Sequence, residues 1–263
     1  MKKPKIVAMY RIRNEDRWIK KSFDETSKIC EQIVVVNNNS SDDTLKICEA
    51  HNHVTKIHTQ NLPFDEARDK NTLLEMAMEL NPDFVINLSG DEIFMPGADK
   101  ILFEELEVIY PNVSVFNLQL LDIWDKPNQY RIDGVYNWGW QPRILRLKNQ
   151  PDNIQFSETK WKGNMHSPGV PQNAIGFDNA VNSKAKLLHY GKFEESQRKA
   201  LYDSYKKFLG SDEDFDNYEF IISDKGRMSG RKGIKLKNLP EGYYHKDINM
   251  GKFNDKYKKD CFN

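Results

Sequence analysis

Short apolar runs alternate with segments of helical periodicity throughout the first third of the chain. The apolar runs begin at Lys5, Ile33, Val54 and Phe84. The helical segments between them cover Asn14 to about Cys30, Thr44 to His51 and Asp65 to Leu80. Strands that alternate with helices in this way are typical of a doubly wound parallel sheet. The predicted fold class is therefore α/β, with a mostly parallel, Rossmann-like sheet. Within it, Asn14 and Glu15 are expected to cap the first helix.

The length of 263 residues allows one large domain with an appendage. We predict a domain over residues 1–209 that consists of two halves, 1–96 and 97–209. Residues 210–263 are predicted to form a charged, helical or irregular extension. An acidic patch and then a basic stretch occur within this extension, and such segregation favours a solvated appendage over a surface that binds a polyanion.

The overall composition excludes several classes of protein. The formal net charge is zero, so no global field attracts nucleic acid or a membrane surface. Three widely separated cysteines without metal-type spacing indicate a reducing compartment. No apolar run approaches the roughly 18 residues that a membrane span needs, and the N-terminal apolar run is too short for a signal peptide. We therefore expect a cytoplasmic protein without a membrane span.

The fourth apolar run ends in a turn of small residues followed by two acids, Ser89-Gly90-Asp91-Glu92. Ligands of open α/β sheets bind at the carboxyl ends of the strands. Carboxylates at such a position suit a hard cation together with a phosphate ligand, because Mg²⁺ and Mn²⁺ prefer oxygen. The alternative interpretation is a solvated acidic turn.

Together these stretches resemble family 2 glycosyltransferases of the GT-A fold, in particular the bacterial branch near the lipopolysaccharide-core transferases. Five blocks match in the family's order. They are Arg13-Asn14-Glu15, the loop from Val34 to Thr44, Phe64 to Asn71, Asn87 to Glu92, and an acceptor-side group comprising Trp140 to Arg146, Trp161 to His166 and His189-Tyr190-Gly191. The resemblance covers roughly residues 3 to 209 and leaves the extension unexplained. It implies that residues 1–96 are a nucleotide-binding half and residues 97–209 an acceptor-side half.

The resemblance implies a metal-dependent inverting transferase that moves a sugar from a nucleoside diphosphate to an acceptor hydroxyl. It implies that Asp91 holds Mn²⁺ or Mg²⁺, with His189 or His166 completing the metal shell. The donor-binding residues that it implies are Arg11, Arg13, Asn37, Asn39, Arg68, Ser89, Gly90 and Asp91. Arg68 would lie near the diphosphate, although a surface ion pair with a neighbouring acid is the alternative. Trp138, Trp140 and Trp161 would form a wall on which the acceptor stacks, unless they are core residues.

Two acidic positions of the family are neutral in this chain. Asn37 stands where an aspartate meets the uracil ring, and Ser89 replaces the first aspartate of the metal motif. A UDP-sugar donor is still expected, but an amide both donates and accepts, so cytosine and thymine donors stay open. The catalytic base is sought among Asp122 and Asp125, which follow an apolar strand, with Asp133 a weaker candidate.

Other functions remain open at this stage. Ser167 is a third such position, since it follows His166 where relatives often carry a glutamate. Because acids are missing at positions 37, 89 and 167, the chain is alternatively a sugar-nucleotide-binding protein with impaired catalysis. The acceptor is expected to be a glycan or another polyanionic molecule. A base-glycosylating enzyme that acts on nucleic acid is a further alternative, which the composition does not favour.

Overall fold

Each of the four N-terminal apolar runs forms a strand of a parallel sheet. The computed structural model describes residues 3–210, 215–223 and 233–248. The four strands are β1 (Ile6–Ile12), β2 (Gln32–Asn37), β3 (Val54–Thr59) and β4 (Phe84–Ser89). Their order in space is β3-β2-β1-β4, and all three pairings are parallel. The carboxyl ends of β1 and β4 therefore lie side by side, with Arg11 opposite Ser89.

Helices cover both faces of this sheet. They are α1 (Ile19–Thr26), α2 (Thr44–Ala50) and α3 (Glu66–Met78). Successive side chains of a strand point to opposite faces, so Ala8 packs with Phe23 of α1 while Val7 packs with Leu73 of α3. A hydrophobic core thus lies on each side of the sheet. The predicted α/β class is confirmed.

The expected cap of the first helix is wrong, because α1 begins at Ile19 and not beside Asn14. Asn14 has a positive φ of 54°. Its side-chain oxygen accepts a hydrogen bond from the backbone N–H of Ser41 at 2.8 Å. The backbone N–H of Glu15 donates to Thr44 Oγ1 at 2.7 Å. The residues that were expected to start the helix instead join the end of β1 to the loop after β2.

The second half of the chain adds strands to the same sheet, mostly through antiparallel pairings. Its elements are β5 (Glu92–Phe94), α4 (Ala98–Glu104) with a following π-helical turn (Glu105–Ile109), β6 (Val115–Trp124), β7 (Lys126–Arg131), β8 (Trp140–Arg146), β9 (Val181–His189), α5 (Glu195–Leu209) and β10 (Leu236–Asn238). β8 lies antiparallel between β4 and β6, whereas β9 is antiparallel to β5 and parallel to β6. This arrangement brings the end of β9 close to the turn after β4.

Parts of the predicted extension pack against the domain. β10 is antiparallel to β7, and a 3₁₀ turn (Phe215–Ile221) packs on α5. His245 is buried and hydrogen-bonds to the backbone oxygen of Phe94 at 2.8 Å. Most of the acidic patch at 212–216 and of the basic stretch at 225–259 lies outside the described residues, so the domain division stays a prediction. In the part of the chain that the structure describes, none of the helices is both long and apolar enough to cross a bilayer.

Glu92, the second acid of the turn after β4, is part of a buried ion pair. Arg143 of β8 donates from Nη2 to Glu92 Oε1 at 2.5 Å, and both residues are buried. The other carboxylate oxygen accepts from the backbone N–H of Ser89 at 3.0 Å. Glu92 therefore shapes the turn, whereas Asp91 faces a cavity that is described below.

We expect Arg143→Met to lower the free energy of unfolding by about 3–5 kcal/mol, since it leaves the Glu92 carboxylate buried without its partner. Urea unfolding monitored by circular dichroism measures this loss. The double variant Arg143→Met/Glu92→Gln removes both charges and should recover most of it. A loss below about 1 kcal/mol for the single variant, which is the range of an exposed pair, would contradict this account of the turn.

Candidate functional site

Three neighbouring cavities form the candidate site, and two of them lie at the carboxyl ends of β1 and β4. The first of these two, the Asp91 cavity of about 250 Å³, is lined by Arg11, Arg13, Ser89, Asp91, His189 and Lys192 among others. The second, the Arg143 cavity of about 470 Å³, is lined by Arg11, Glu66, Lys70, Ser89 and Arg143 among others. The aromatic cavity, of about 600 Å³, includes Tyr136, Trp140, Trp161, Tyr218 and Phe220 in its wall. Tyr205 lines all three cavities, which together are termed the cleft.

The pairing of the later strands assembles a charged cluster at the junction of two cavities. His189, the last residue of β9, lies opposite Glu92 of β5 and opposite Asp122 of β6. Its Nε2 is 3.5 Å from Asp91 Oδ2, and its Nδ1 is 2.7 Å from Asp122 Oδ1. Lys192 Nζ also lies 2.7 Å from Asp122 Oδ1. His189 and Lys192 line both the Asp91 cavity and the aromatic cavity.

These contacts determine the charge state of the cluster. Burial alone would lower the pKa of His189, but the carboxylates of Asp91 and Asp122 raise it to about 9. Burial would also raise the pKa of Asp122, but Lys192 and His189 hold it well below its usual range. A carboxylate with such a low pKa is a weak proton acceptor near neutral pH. The position of Asp122 therefore suits orienting His189 better than removing a proton.

Asp91 and His189 are arranged as two ligands of a divalent cation would be. A histidine that binds a metal generally donates its other ring N–H to a carboxylate, and Asp122 occupies that position behind His189. Mg²⁺ is usually bound by one or two carboxylates together with substrate phosphates and water, so Asp91 suits Mn²⁺ or Mg²⁺. His189 would bind the same ion through Nε2 only after releasing the proton that its raised pKa retains without a cation, because a metal-binding imidazole must be neutral. Among residues 3–210, 215–223 and 233–248, His, Cys, Asp and Glu form no group of three or more that could hold a metal ion.

His166, the third predicted metal ligand, has a different partner. Its Nε2 is 2.6 Å from the hydroxyl of Tyr218, and its ring stacks on the Tyr218 ring with an interplanar angle of 12°. His166 lines the Arg143 cavity and the aromatic cavity. The structure thus brings two of the three predicted ligands together.

Close approach of Asp91 and His189 depends on Gly191. A Cβ at this position would lie 2.6 Å from His189 Nε2 and closer still to Asp91 Oδ2. Gly90 is similarly constrained, since a Cβ there would lie 2.6 Å from the side chain of Glu15. Both turns that carry the cluster therefore need glycine for reasons of space.

Arginines supply positive charge beside Asp91. Arg11 and Arg13 both line the Asp91 cavity. Arg11 is fixed by its Nε, which donates to Asp69 Oδ2 at 2.8 Å, and by its guanidinium, which lies 4.3 Å from the centre of the Phe64 ring. Arg68 donates to the other oxygen of Asp69 and to the backbone oxygen of Pro63. Arg68 is not among the lining residues of the three cavities, so the structure favours its ion-pair alternative.

The two asparagines predicted to bind the donor, Asn37 at the nucleobase and Asn39, do not line the three cavities. Asn37 is buried, and its side-chain oxygen accepts from the backbone N–H and the hydroxyl of Ser40 at 3.2 and 2.6 Å. Asn39 is exposed and has a φ of 53°. The amide of Asn37 therefore stabilises its own loop in this conformation.

The remaining predicted residues divide between the cleft and its surroundings. Trp140 and Trp161 line the aromatic cavity. The side chain of Trp138 lies outside the described residues. Asp125 is half exposed, binds Arg198 at 2.9 Å and does not line the three cavities. Asp133 is buried and paired with Arg131.

Sequence reasoning missed several cleft residues. Lys192 directly follows the block His189-Tyr190-Gly191, and that adjacency was the available signal. Tyr205 lies on α5 in one hydrophobic cluster with Leu201 and Phe208, so its role was indistinguishable from packing. Tyr218 and Phe220 had no signal, because they reach the cleft only through the folding of a C-terminal segment against α5.

Comparisons with known proteins give a distant structural similarity. No protein-family model and no curated protein matches the chain. Among solved structures, the chain is similar to S. aureus TarS 1–349, with 15% identity, a TM-score of 0.47, and coverage of 83% of this chain and 70% of that one. TarS 1–349 in complex with UDP-GlcNAc gives 16% identity, a TM-score of 0.46, and coverage of 82% and 72%. The chain spans 42% of a further TarS structure. At this level the similarity does not by itself indicate an activity.

Proposed function

We propose that this chain is a metal-dependent, inverting glycosyltransferase of GT-A type that uses a nucleoside diphosphate sugar. The observation that carries the proposal is the pair Asp91 and His189. They face each other across 3.5 Å beside Arg11 and Arg13, at the edge of the sheet where ligands of α/β proteins bind. A carboxylate and an imidazole next to guanidinium groups suit a divalent cation and a diphosphate.

The chemistry needs negative charge to be neutralised as the diphosphate departs. Mn²⁺ or Mg²⁺, when bound, supplies this neutralisation as a Lewis acid. Asp91 and His189 would hold the ion, and Asp122 keeps the His189 ring oriented through its Nδ1. Arg11 and Arg13 would contact the phosphate oxygens. Lys192, already bound to Asp122, adds a positive charge between the donor side and the acceptor side of the cleft.

The aromatic cavity would receive the acceptor. It shares His189 and Lys192 with the Asp91 cavity, so an acceptor hydroxyl in it can approach the donor sugar. In an inverting transfer, this oxygen forms a bond to the anomeric carbon while the bond from that carbon to the diphosphate oxygen breaks. The bonding electrons leave with the diphosphate, and the hydroxyl proton passes to a base or to water. Trp140 and Trp161 would position the acceptor.

The proposal predicts metal-dependent binding of a nucleoside diphosphate. Isothermal titration calorimetry with UDP is expected to show binding in the presence of Mn²⁺ and at least about tenfold weaker binding with EDTA, because the phosphates lose their metal contact. Titrations with CDP, dTDP and GDP would identify the base. If none of these nucleotides binds with Mn²⁺ present, the proposed function is wrong.

A second candidate function is a sugar-nucleotide-binding protein with impaired catalysis. Asn37 and Ser89, which stand where the family has carboxylates, favour this candidate. Incubation with UDP-glucose, UDP-GlcNAc and UDP-galactose distinguishes the two. Release of UDP that depends on Mn²⁺ supports the transferase, whereas tight binding without turnover supports the binding protein.

A further inference from the structure

Six aromatic side chains line the aromatic cavity. They are Tyr136, Trp140, Trp161, Tyr205, Tyr218 and Phe220. The polar side chains in its wall are Asp122, Gln141, His166, His189 and Lys192, and two of them, His189 and Lys192, also line the Asp91 cavity. The volume of about 600 Å³ is within the range of sites that bind small molecules. A cavity of this kind suits a ligand with apolar faces and a polar edge.

The charges of the aromatic cavity are satisfied within the protein. Asp122 is bound by both Lys192 and His189, and His189 also faces Asp91. Two further cations contact indole rings, with Lys186 Nζ 4.5 Å from the centre of Trp140 and Lys160 Nζ 5.1 Å from the centre of Trp161. Recognition of a phosphorylated ligand generally uses arginine clusters, and none of the described residues that line this cavity is an arginine. The charge distribution therefore favours an uncharged ligand.

A C-terminal segment outside the predicted domain supplies part of this wall. The ring of Tyr218 stacks on Tyr205 of α5 with a centroid distance of 4.4 Å, and its hydroxyl is 2.6 Å from His166 Nε2. Phe220 packs edge-on against Tyr136 at 5.6 Å. Tyr218 and Phe220 are thus held between α5 on one side and the residues after β7 on the other.

Arg131 anchors the backbone of this segment. It is fully buried, and its guanidinium contacts the rings of Trp124 and Tyr136, at 4.7 and 4.5 Å from their centres. It forms a bidentate pair with Asp133 at 2.9 and 2.7 Å. Its remaining N–H groups donate to the backbone oxygens of Phe220 and Ser223 at 2.7 and 3.1 Å. A buried arginine that binds two carbonyl groups of one segment fixes the position of that segment.

We infer that the aromatic cavity binds the acceptor as an uncharged saccharide, and that Tyr218 and Phe220, positioned by Arg131, form the wall that selects it. The inference rests on the proposed transferase function and names the acceptor class. A pyranose ring presents apolar C–H groups on its faces and hydroxyls at its edge, which matches a wall of aromatic and polar side chains. Tyr218 and Phe220 are then specificity residues, and Arg131 is a positioning residue.

Intrinsic tryptophan fluorescence tests this inference, because Trp140 and Trp161 both line the cavity. The full chain is saturated with UDP and Mn²⁺ and is then titrated with neutral disaccharides (cellobiose, chitobiose, maltose and lactose). Glucose 6-phosphate and a thymidine pentanucleotide serve as anionic probes. We expect at least one neutral disaccharide to bind more tightly than both anionic probes. Tighter binding of an anionic probe, or binding of none of the disaccharides, overturns the inference.

Two variants test whether Phe220 and Arg131 contribute to disaccharide binding. Phe220→Ala is expected to weaken the affinity for the bound disaccharide about 5- to 10-fold, in keeping with the loss of one aromatic contact. Arg131→Lys keeps a charge beside Asp133 but cannot bind both carbonyl groups, so it should weaken the same affinity while the affinity for UDP with Mn²⁺ stays equal. Ile222→Ala is the matched control, since Ile222 is an exposed neighbour in the same segment.

The outcomes separate the inference from the proposed function. Failure of UDP to bind the wild-type protein refutes the function on which the inference rests. Normal UDP binding with disaccharide affinity unchanged in Phe220→Ala refutes the inference alone. If Phe220→Ala fails to fold, Tyr218→Phe replaces it. Tyr218→Phe removes only the hydroxyl that contacts His166. An unchanged disaccharide affinity in that variant refutes the assignment of Tyr218 as a specificity residue.

Discussion

Replacing Asp91 with Asn is expected to lower the rate of UDP release from a UDP-sugar by about 10²- to 10³-fold, the range found when one stabilising group of a transition state is removed. The amide keeps the shape of the side chain but loses the negative charge that would bind the cation. The effect should be largest on turnover, because charge on the departing diphosphate develops in the transition state. Steady-state assays with saturating Mn²⁺ measure it.

The fold is expected to tolerate this change. The backbone oxygen of Asp91 accepts a hydrogen bond from the N–H of Tyr190 at 2.9 Å. This bond does not involve the side chain, so it is retained in the variant. Thermal unfolding should therefore differ little from that of the wild type. Asp152→Asn, at an exposed position in the long loop after β8, is the matched control. Turnover in Asp91→Asn within about threefold of the control would remove the main support for the proposed function.

Local patterns in the sequence were sufficient for the architecture of the first half. Val34 and Val35 point to opposite faces of the sheet, and both are buried. A run of β-branched residues indicates such a doubly buried strand from its own sequence, without knowledge of distant contacts. The helix start at Asn14 was wrong because the residues that bind its side chain lie 27 positions further along the chain. A tertiary contact thus replaced the local cap that the sequence favoured.

The candidate site was predictable where a single strand end defines it, and less so where several strands meet. Asp91 follows from the position of a carboxylate after β4, and His189 from its sequence block. Their separation of 3.5 Å, however, depends on the pairing of β9 with β5 and β6. For Arg68, by contrast, a local contact decides its position. Its guanidinium binds the carboxylate of Asp69, the next residue of α3.

Acids that are adjacent in sequence also have different environments. Asp91 and Glu92 were indistinguishable as a pair of carboxylates after a strand. In the structure, Glu92 is paired with Arg143 while Asp91 lines a cavity. Asp91 lies in the turn, whereas Glu92 is the first residue of β5. The position of β8 then determines which of the two acids meets an arginine.

Gly191→Ala is expected to lower turnover about 10²-fold without removing any polar group, because displacements of about 1 Å at a reacting centre have effects of this size. The added methyl would lie 2.6 Å from His189 Nε2 and closer to Asp91 Oδ2, so these two groups must move apart. Gly191 does not have a positive φ, so alanine is compatible with its backbone. Assays of UDP release and of Mn²⁺-dependent UDP affinity measure the effect, and Ser196→Ala, an exposed substitution on α5, is the control.

A double-variant comparison distinguishes displacement of the pair from a general disturbance. If the methyl acts only by separating Asp91 from His189, it should have no further effect on UDP affinity in the background Asp91→Ala/His189→Ala, where both groups are absent. Residues that act through one shared contact are non-additive in this way. An equal loss of affinity in both backgrounds would mean that Gly191 affects the cleft by another route. The Asp91–His189 pair would then lose its assigned place in the proposed mechanism.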